Sequence, residues 1–93
     1  MTIDFNNIEN LLNDCHTNEA INLLEQYINS NPKDNLDTAF YLLGNAHRKM
    51  NNWKLAINNY HKAIEINPNS PAAAALDNAN EILNFFNHDL FNP

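Results

Sequence analysis

The segment AINLLEQYINSNP at residues 20–32 returns as AINNYHKAIEINP at residues 56–68, and this internal echo limits the fold more than any other feature. Ala, Ile and Asn recur together, then Ile, then Asn-Pro, all at one shift of 36 residues. In each copy the apolar residues keep helical spacing: Ala20, Ile21, Leu24, Tyr27 and Ile28, then Ala56, Ile57, Tyr60, Ala63 and Ile64. Each proline pushes the residue before it out of the α region and so ends its helix. A helical unit repeated at a fixed period is expected to stack, because one unit alone leaves an apolar face uncovered.

The second copy lies in a complete hairpin, Asp37 to Pro68, read as two amphipathic helices joined by a tight Asn51-Asn52 turn. Its first helix carries Phe40, Leu43, Gly44 and His47 at helical spacing, and its second begins at Trp53. Gly44 is the only glycine in the chain. Inside a helix, glycine costs about 1 kcal/mol relative to alanine. Its presence predicts a backbone approach too close for a Cβ, with Ala56 and Ala63 supplying the contact. A tolerated surface glycine is the alternative.

Taken together, Phe40, Leu43, Gly44, Ala56, Tyr60, Ala63 and Pro68 resemble the tetratricopeptide repeat, a helix-turn-helix unit of about 34 residues. Phe40 stands where that pattern usually has tryptophan, and His47 where it has tyrosine. The resemblance implies an all-α fold of antiparallel helix-turn-helix repeats wound into an αα-superhelix. One domain then spans residues 1–93, with two repeats plus a C-terminal capping helix, five helices in all. Residues 1–32 form a degenerate repeat, with Ala20 and Pro32 in signature positions, and residues 37–68 a well-matched one. Residues 71–86 are the capping helix and residues 87–93 a short tail.

The first helix is expected from Thr2 or Asp4 to Asp14, capped by one of those two residues, with Ile8, Leu11, Leu12 and Cys15 as its apolar stripe. Thr17 or Asn18 caps the second. At the 36-residue shift, Ile8 replaces Gly44, Asp4 replaces Phe40 and Asn7 replaces Leu43. The first pair of helices is therefore expected to pack further apart than the second. Ser70-Pro71 is a helix start, since proline at the first helical position misses no hydrogen bond. Leu90 and Phe91 are expected to fold back on the fifth helix.

No catalytic set emerges, and the sequence does not read as an enzyme. A phosphate-cradling loop needs several glycines. Ser30 and Ser70 are helix-end residues, and adjacent helical residues such as Cys15 and His16 point apart, leaving Cys15 as a small buried apolar residue. His16, His47, His61 and His88 contain no i, i+4 pair, so neither a metal nor a cofactor is expected. His47 reads as a hydrogen-bonded core residue and His61 as exposed. The net charge of −6 argues against nucleic acid. No segment approaches a membrane span, and the amino terminus lacks a secretory signal. With a single cysteine, the expectation is a soluble cytoplasmic protein, monomer or weak homodimer.

What remains is a surface. The resemblance implies a concave groove lined by Thr38, Tyr41, Asn45, Arg48 and Lys49, with Phe5, Glu9 and Leu12 from the first helix. The fifth adds Ala72, Ala75 and Ala79. The implied function is a protein-interaction scaffold that binds a peptide or protein segment there. Tyr41 and Arg48 either anchor the ligand or, respectively, pack on the fifth helix and face solvent. A clamp for chaperone-tail carboxylates, known in one subfamily, is not expected, because only Asn45 matches it. The competing reading is a self-associating subunit using an apolar carboxyl-terminal patch of Phe85, Phe86, Leu90 and Phe91.

Overall fold

The computed structural model describes residues 2–91, with side chains through Phe85. Five helices follow in order: α1 (Phe5–Asn13), α2 (Thr17–Asn29), α3 (Leu36–Lys49), α4 (Trp53–Ile66) and α5 (Ala72–Phe91). They stack as α1/α2 and α3/α4 hairpins with α5 against α4, and α3/α4 is the most extensive interface. The stack is elongated, 51 × 28 × 18 Å, as expected when units add along one axis.

Local chemistry sets the boundaries. Asp4 caps α1, accepting hydrogen bonds from the amides of Asn6 (3.0 Å) and Asn7 (3.4 Å). Asn52 caps α4 through the amide of Leu55, and the Ser70 hydroxyl oxygen accepts from the amide of Ala72. Helix α2 departs from expectation: it starts at Thr17, with His16 at the cap position and no side-chain bond there. Helix α5 runs to Phe91 rather than Phe86, so residues 87–91 continue the helix instead of forming a separate tail. The expected fold-back of Leu90 and Phe91 lies outside the described side chains.

Cys15 corrects a second expectation. It is exposed, not buried on the α1 stripe, and has a φ of 66°. Its amide donates to Leu12 O and the next amide, of His16, to Leu11 O, the two-bond pattern that terminates a helix on a left-handed residue. Asn51, 36 residues on, ends α3 in the same way, with bonds from Asn51 N to Arg48 O and from Asn52 N to His47 O. Asn31 ends α2 with only the first of these bonds, because Pro32 has no amide hydrogen for the second. Asparagine tolerates this conformation better than cysteine. Cys15→Asn is therefore expected to stabilise the domain by about 0.5–1 kcal/mol, measured as a rise in Tm.

Helix α3 separates two core clusters. One joins α1, α2 and α3 through Ile8, Leu12, Ala20, Ile21, Leu24, Tyr27, Ala39, Leu42, Leu43 and Ala46. The other joins α4 and α5 through Ala56, Tyr60, Ala63, Ala72 and Ala79, with Phe40 and Tyr41 of α3 packed against it. The second is built from alanines around one large ring, Tyr60, which is fully buried. A Cβ added to Gly44 falls 2.6 Å from Tyr60 Cδ1 and Cε1 and 3.1 Å from the Ala56 carbonyl oxygen. The close approach expected at Gly44 is thus real, but its chief occupant is the Tyr60 ring; Ala56 contributes its backbone, and Ala63 is not among the nearest atoms. In the first unit the same two positions hold Ile8 and Leu24, both buried, so two medium side chains fill the space of one large and one absent.

Side-chain bonds tie the connections down. Tyr27 hydroxyl donates to Asp34 O (2.6 Å) across the α2–α3 loop, and Asn67 Nδ2 donates to Asp37 Oδ2 (3.0 Å), joining the end of α4 to the start of α3. On α5 the residues Ala74, Asp77, Asn78 and Glu81 are all exposed. They occupy the face that in α3 receives its partner helix through Phe40, Leu43, Gly44 and His47, offset by the family period of about 34. That face is polar or small, as a capping helix requires.

Candidate functional site: a groove between the first and third helices

Helix α3 turns Tyr41, Asn45 and Arg48 to one side, because residues three and four apart share a helix face. Across from them α1 presents Glu9, Leu12 and Asn13. With Leu42 and Lys49 these residues line an open groove of about 360 Å³.

Asn45 has a defined orientation there. The Tyr60 hydroxyl reaches between the helices and donates to Asn45 Oδ1 at 2.6 Å. Burial pushes the Tyr60 phenol pKa above its usual value, with Arg48 opposing and Tyr41 adding to the shift, so the hydroxyl remains a donor at neutral pH. One lone pair of the carboxamide oxygen is thereby taken, and the two N–H groups of Nδ2 donate to no described residue. Tyr41 packs against both core clusters and lies 6.3 Å from the Tyr60 ring, tilted by 38°. It is at once a core contact and a wall of the groove. Arg48 is half-buried, and among the described residues neither it nor Lys49 forms an ion pair.

Six of the expected groove residues, Glu9, Leu12, Tyr41, Asn45, Arg48 and Lys49, therefore meet in one concavity, joined by Asn13 and Leu42, which sequence reasoning missed. Five others do not. Phe5 is half-buried and packs edge-on against Tyr27, with ring centroids 5.8 Å apart. Thr38 is half-buried outside the lining, and Ala75 packs on the second cluster. Ala72 and Ala79 are fully buried, so they serve the seating of α5 on α4 and are closed to a ligand. The period could not reveal this, because α5 turns the face that would line the groove inward against α4.

His47 is half-buried but makes no side-chain hydrogen bond to any described residue, contrary to expectation, whereas His61 is exposed as expected. Burial lowers the His47 pKa from its usual value, and Glu25 opposes the shift. A depressed folded-state pKa means the unfolded chain takes up the proton first as pH falls. The contribution of His47 is thus complete above about pH 6.5 and is lost on acidification through the lowered value. His47→Gln is expected to flatten that part of the stability–pH curve, measured by urea denaturation between neutral and mildly acid pH.

Among the described residues no group of three or more His, Cys, Asp or Glu side chains is placed to hold a metal. No described helix is long and apolar enough to cross a membrane.

The fold and its groove define a stacked helical-hairpin protein of the kind that presents a concave surface. The tetratricopeptide repeat model matches residues 38–70. The solution NMR structure of Bacteroides fragilis protein BF1650 is similar to this one with a TM-score of 0.86 and 40% sequence identity, covering 98% of this chain and 91% of that one. No functionally curated protein matches the chain. The chain belongs to the tetratricopeptide repeat family, whose members are typically protein-interaction modules without catalytic activity.

Proposed function

We propose that this protein is an interaction module that holds an extended, acidic segment of a partner protein in the α1–α3 groove. The observation that carries this reading is the pairing of an Asn45 side chain presented as a donor with two cations, Arg48 and Lys49, that have no ion-pair partner among the described residues. Charge-assisted bonds to a carboxylate suit that set, and the guanidinium adds directional, two-pronged geometry. Glu9 on the opposite wall disfavours acid there and orients the segment. The other clamp positions hold Phe5, Leu42, Ala72 and Leu76, which favours a side-chain carboxylate of the segment over a chaperone-tail terminus.

Selection from a random peptide library displayed on phage tests this. Asp and Glu should be enriched in the selected peptides, a synthetic copy should shift the NMR signals of Tyr41, Asn45 and Arg48, and Arg48→Ala should weaken it roughly tenfold. Selected peptides without acidic preference, or shifts confined to α5, would reject it.

A second reading, self-association, is favoured by the exposure of Ile82 (38%) and Phe85 (67%) on α5. Sedimentation velocity over a range of concentrations decides it, and a strict monomer throughout rules it out.

A further inference from the structure

On the side of α3 away from the groove lies a second concavity, about 290 Å³, bounded by α2 and α4. Its apolar residues are Ile28, Phe40, Leu43 and Leu55. Asn59 stands among them, only 6% exposed. Its Nδ2 donates to Leu55 O at 2.8 Å, one turn back in its own helix, and this assigns the amide unambiguously, since only the nitrogen can donate. Oδ1 has no partner among the described residues, yet it is not sealed from the surface. An acceptor on a side chain more than nine-tenths buried is thus left open beside an apolar floor. Water can reach this acceptor, and a donor that displaces the water is held directionally.

The rim narrows what fits. Lys62 Nζ sits 5.5 Å from the centre of the Phe40 ring, which disfavours a Lys or Arg guest, and Glu25 disfavours a carboxylate. With charges of both signs on the rim, and Asn29 and His47 also lining the cleft, neither sign of guest is favoured. A neutral group with an apolar body and a donor tip suits the floor and the open acceptor. The volume is just below the roughly 300–1,000 Å³ of small-molecule sites, so it suits one side chain rather than a cofactor. Indole meets each condition: its N–H donates and accepts nothing, and its electron-rich face is the preferred neighbour for an ammonium such as that of Lys62.

We propose that this cleft is a docking site for a single tryptophan side chain presented by a partner protein, with Asn59 Oδ1 accepting the indole N–H. The site is separate from the groove and does not depend on what the groove binds.

NMR titration with N-acetyltryptophanamide tests it. Saturable shifts are expected at Ile28, Phe40, Leu43 and Asn59, with Asn45 and Arg48 undisturbed. The 1-methylindole analogue, which has the same ring without the donor, should bind about three- to tenfold more weakly, the worth of one hydrogen bond. Asn59→Leu should bind the two probes equally. Equal binding of both probes by the unmodified protein overturns the proposal, as do shifts that do not saturate or that centre elsewhere. The comparison in the unmodified protein decides the matter even if Asn59→Leu fails to fold.

Discussion

Gly44→Ile is expected to destabilise the domain by about 3 kcal/mol or more, lowering Tm on the order of 15 °C. The Cβ alone would stand 2.6 Å from two ring carbons of Tyr60, a distance that real contacts do not sustain. The ring cannot swing clear, because it is fully buried and its hydroxyl is held by Asn45. The gain from replacing a helical glycine, roughly 0.5 kcal/mol, is too small to offset that collision. The first unit shows how the space can be filled otherwise, with Ile8 and Leu24 at the corresponding positions. Gly44→Ile combined with Tyr60→Leu should therefore recover much of the loss, with a favourable coupling of about 2 kcal/mol in a double-mutant cycle. Additive losses in thermal or urea denaturation would show that the two pairs are not alternative fillings of one site.

Tyr60→Ala is expected to cost about 3–5 kcal/mol, the usual loss for emptying a large buried aromatic site. For a domain of this size, whose total stability is about 5–15 kcal/mol, that leaves the fold marginal or lost. The alanines around the ring cannot collapse inward, since they have no side chain to extend. Tyr60→Phe separates hydroxyl from ring: it keeps the packing and should cost only about 1 kcal/mol. It also bears on pH. Burial raises the Tyr60 pKa, so the stability tied to its protonated form is complete below about pH 10 and is lost as pH rises through the higher folded-state value. Denaturation curves taken on either side of that range should converge for Tyr60→Phe relative to the unmodified protein. An unchanged alkaline loss would place its origin elsewhere.

Much of this architecture was legible in the residues, for physical reasons. Apolar spacing and the two Asn-Pro stops read correctly as helices because both act locally. The family signature from Phe40 to Pro68 was legible because Gly44 makes sense only under a close neighbour. Cys15 was misread because periodicity cannot tell the last residue of a stripe from the left-handed residue that ends the helix; its match to Asn51 at the 36-residue shift was the available signal. Glu9, Tyr41, Asn45, Arg48 and Lys49 lie on faces that stacking leaves open, whereas Ala72 and Ala79 lie on a face that α5 turns inward.

The sequence by itself determined that this protein is a stack of helical hairpins and that the second hairpin turns at Asn51-Asn52. Helical period, caps and stops act over a few residues, so they can be read along a line. Only the tertiary structure decided which oxygen of the polar network is spoken for. The Tyr60 hydroxyl reaches Asn45 from fifteen residues away, and Asn59 keeps an open acceptor because no described residue brings it a donor. Such pairings depend on which side-chain atoms of packed helices meet, and neither composition nor spacing encodes that meeting.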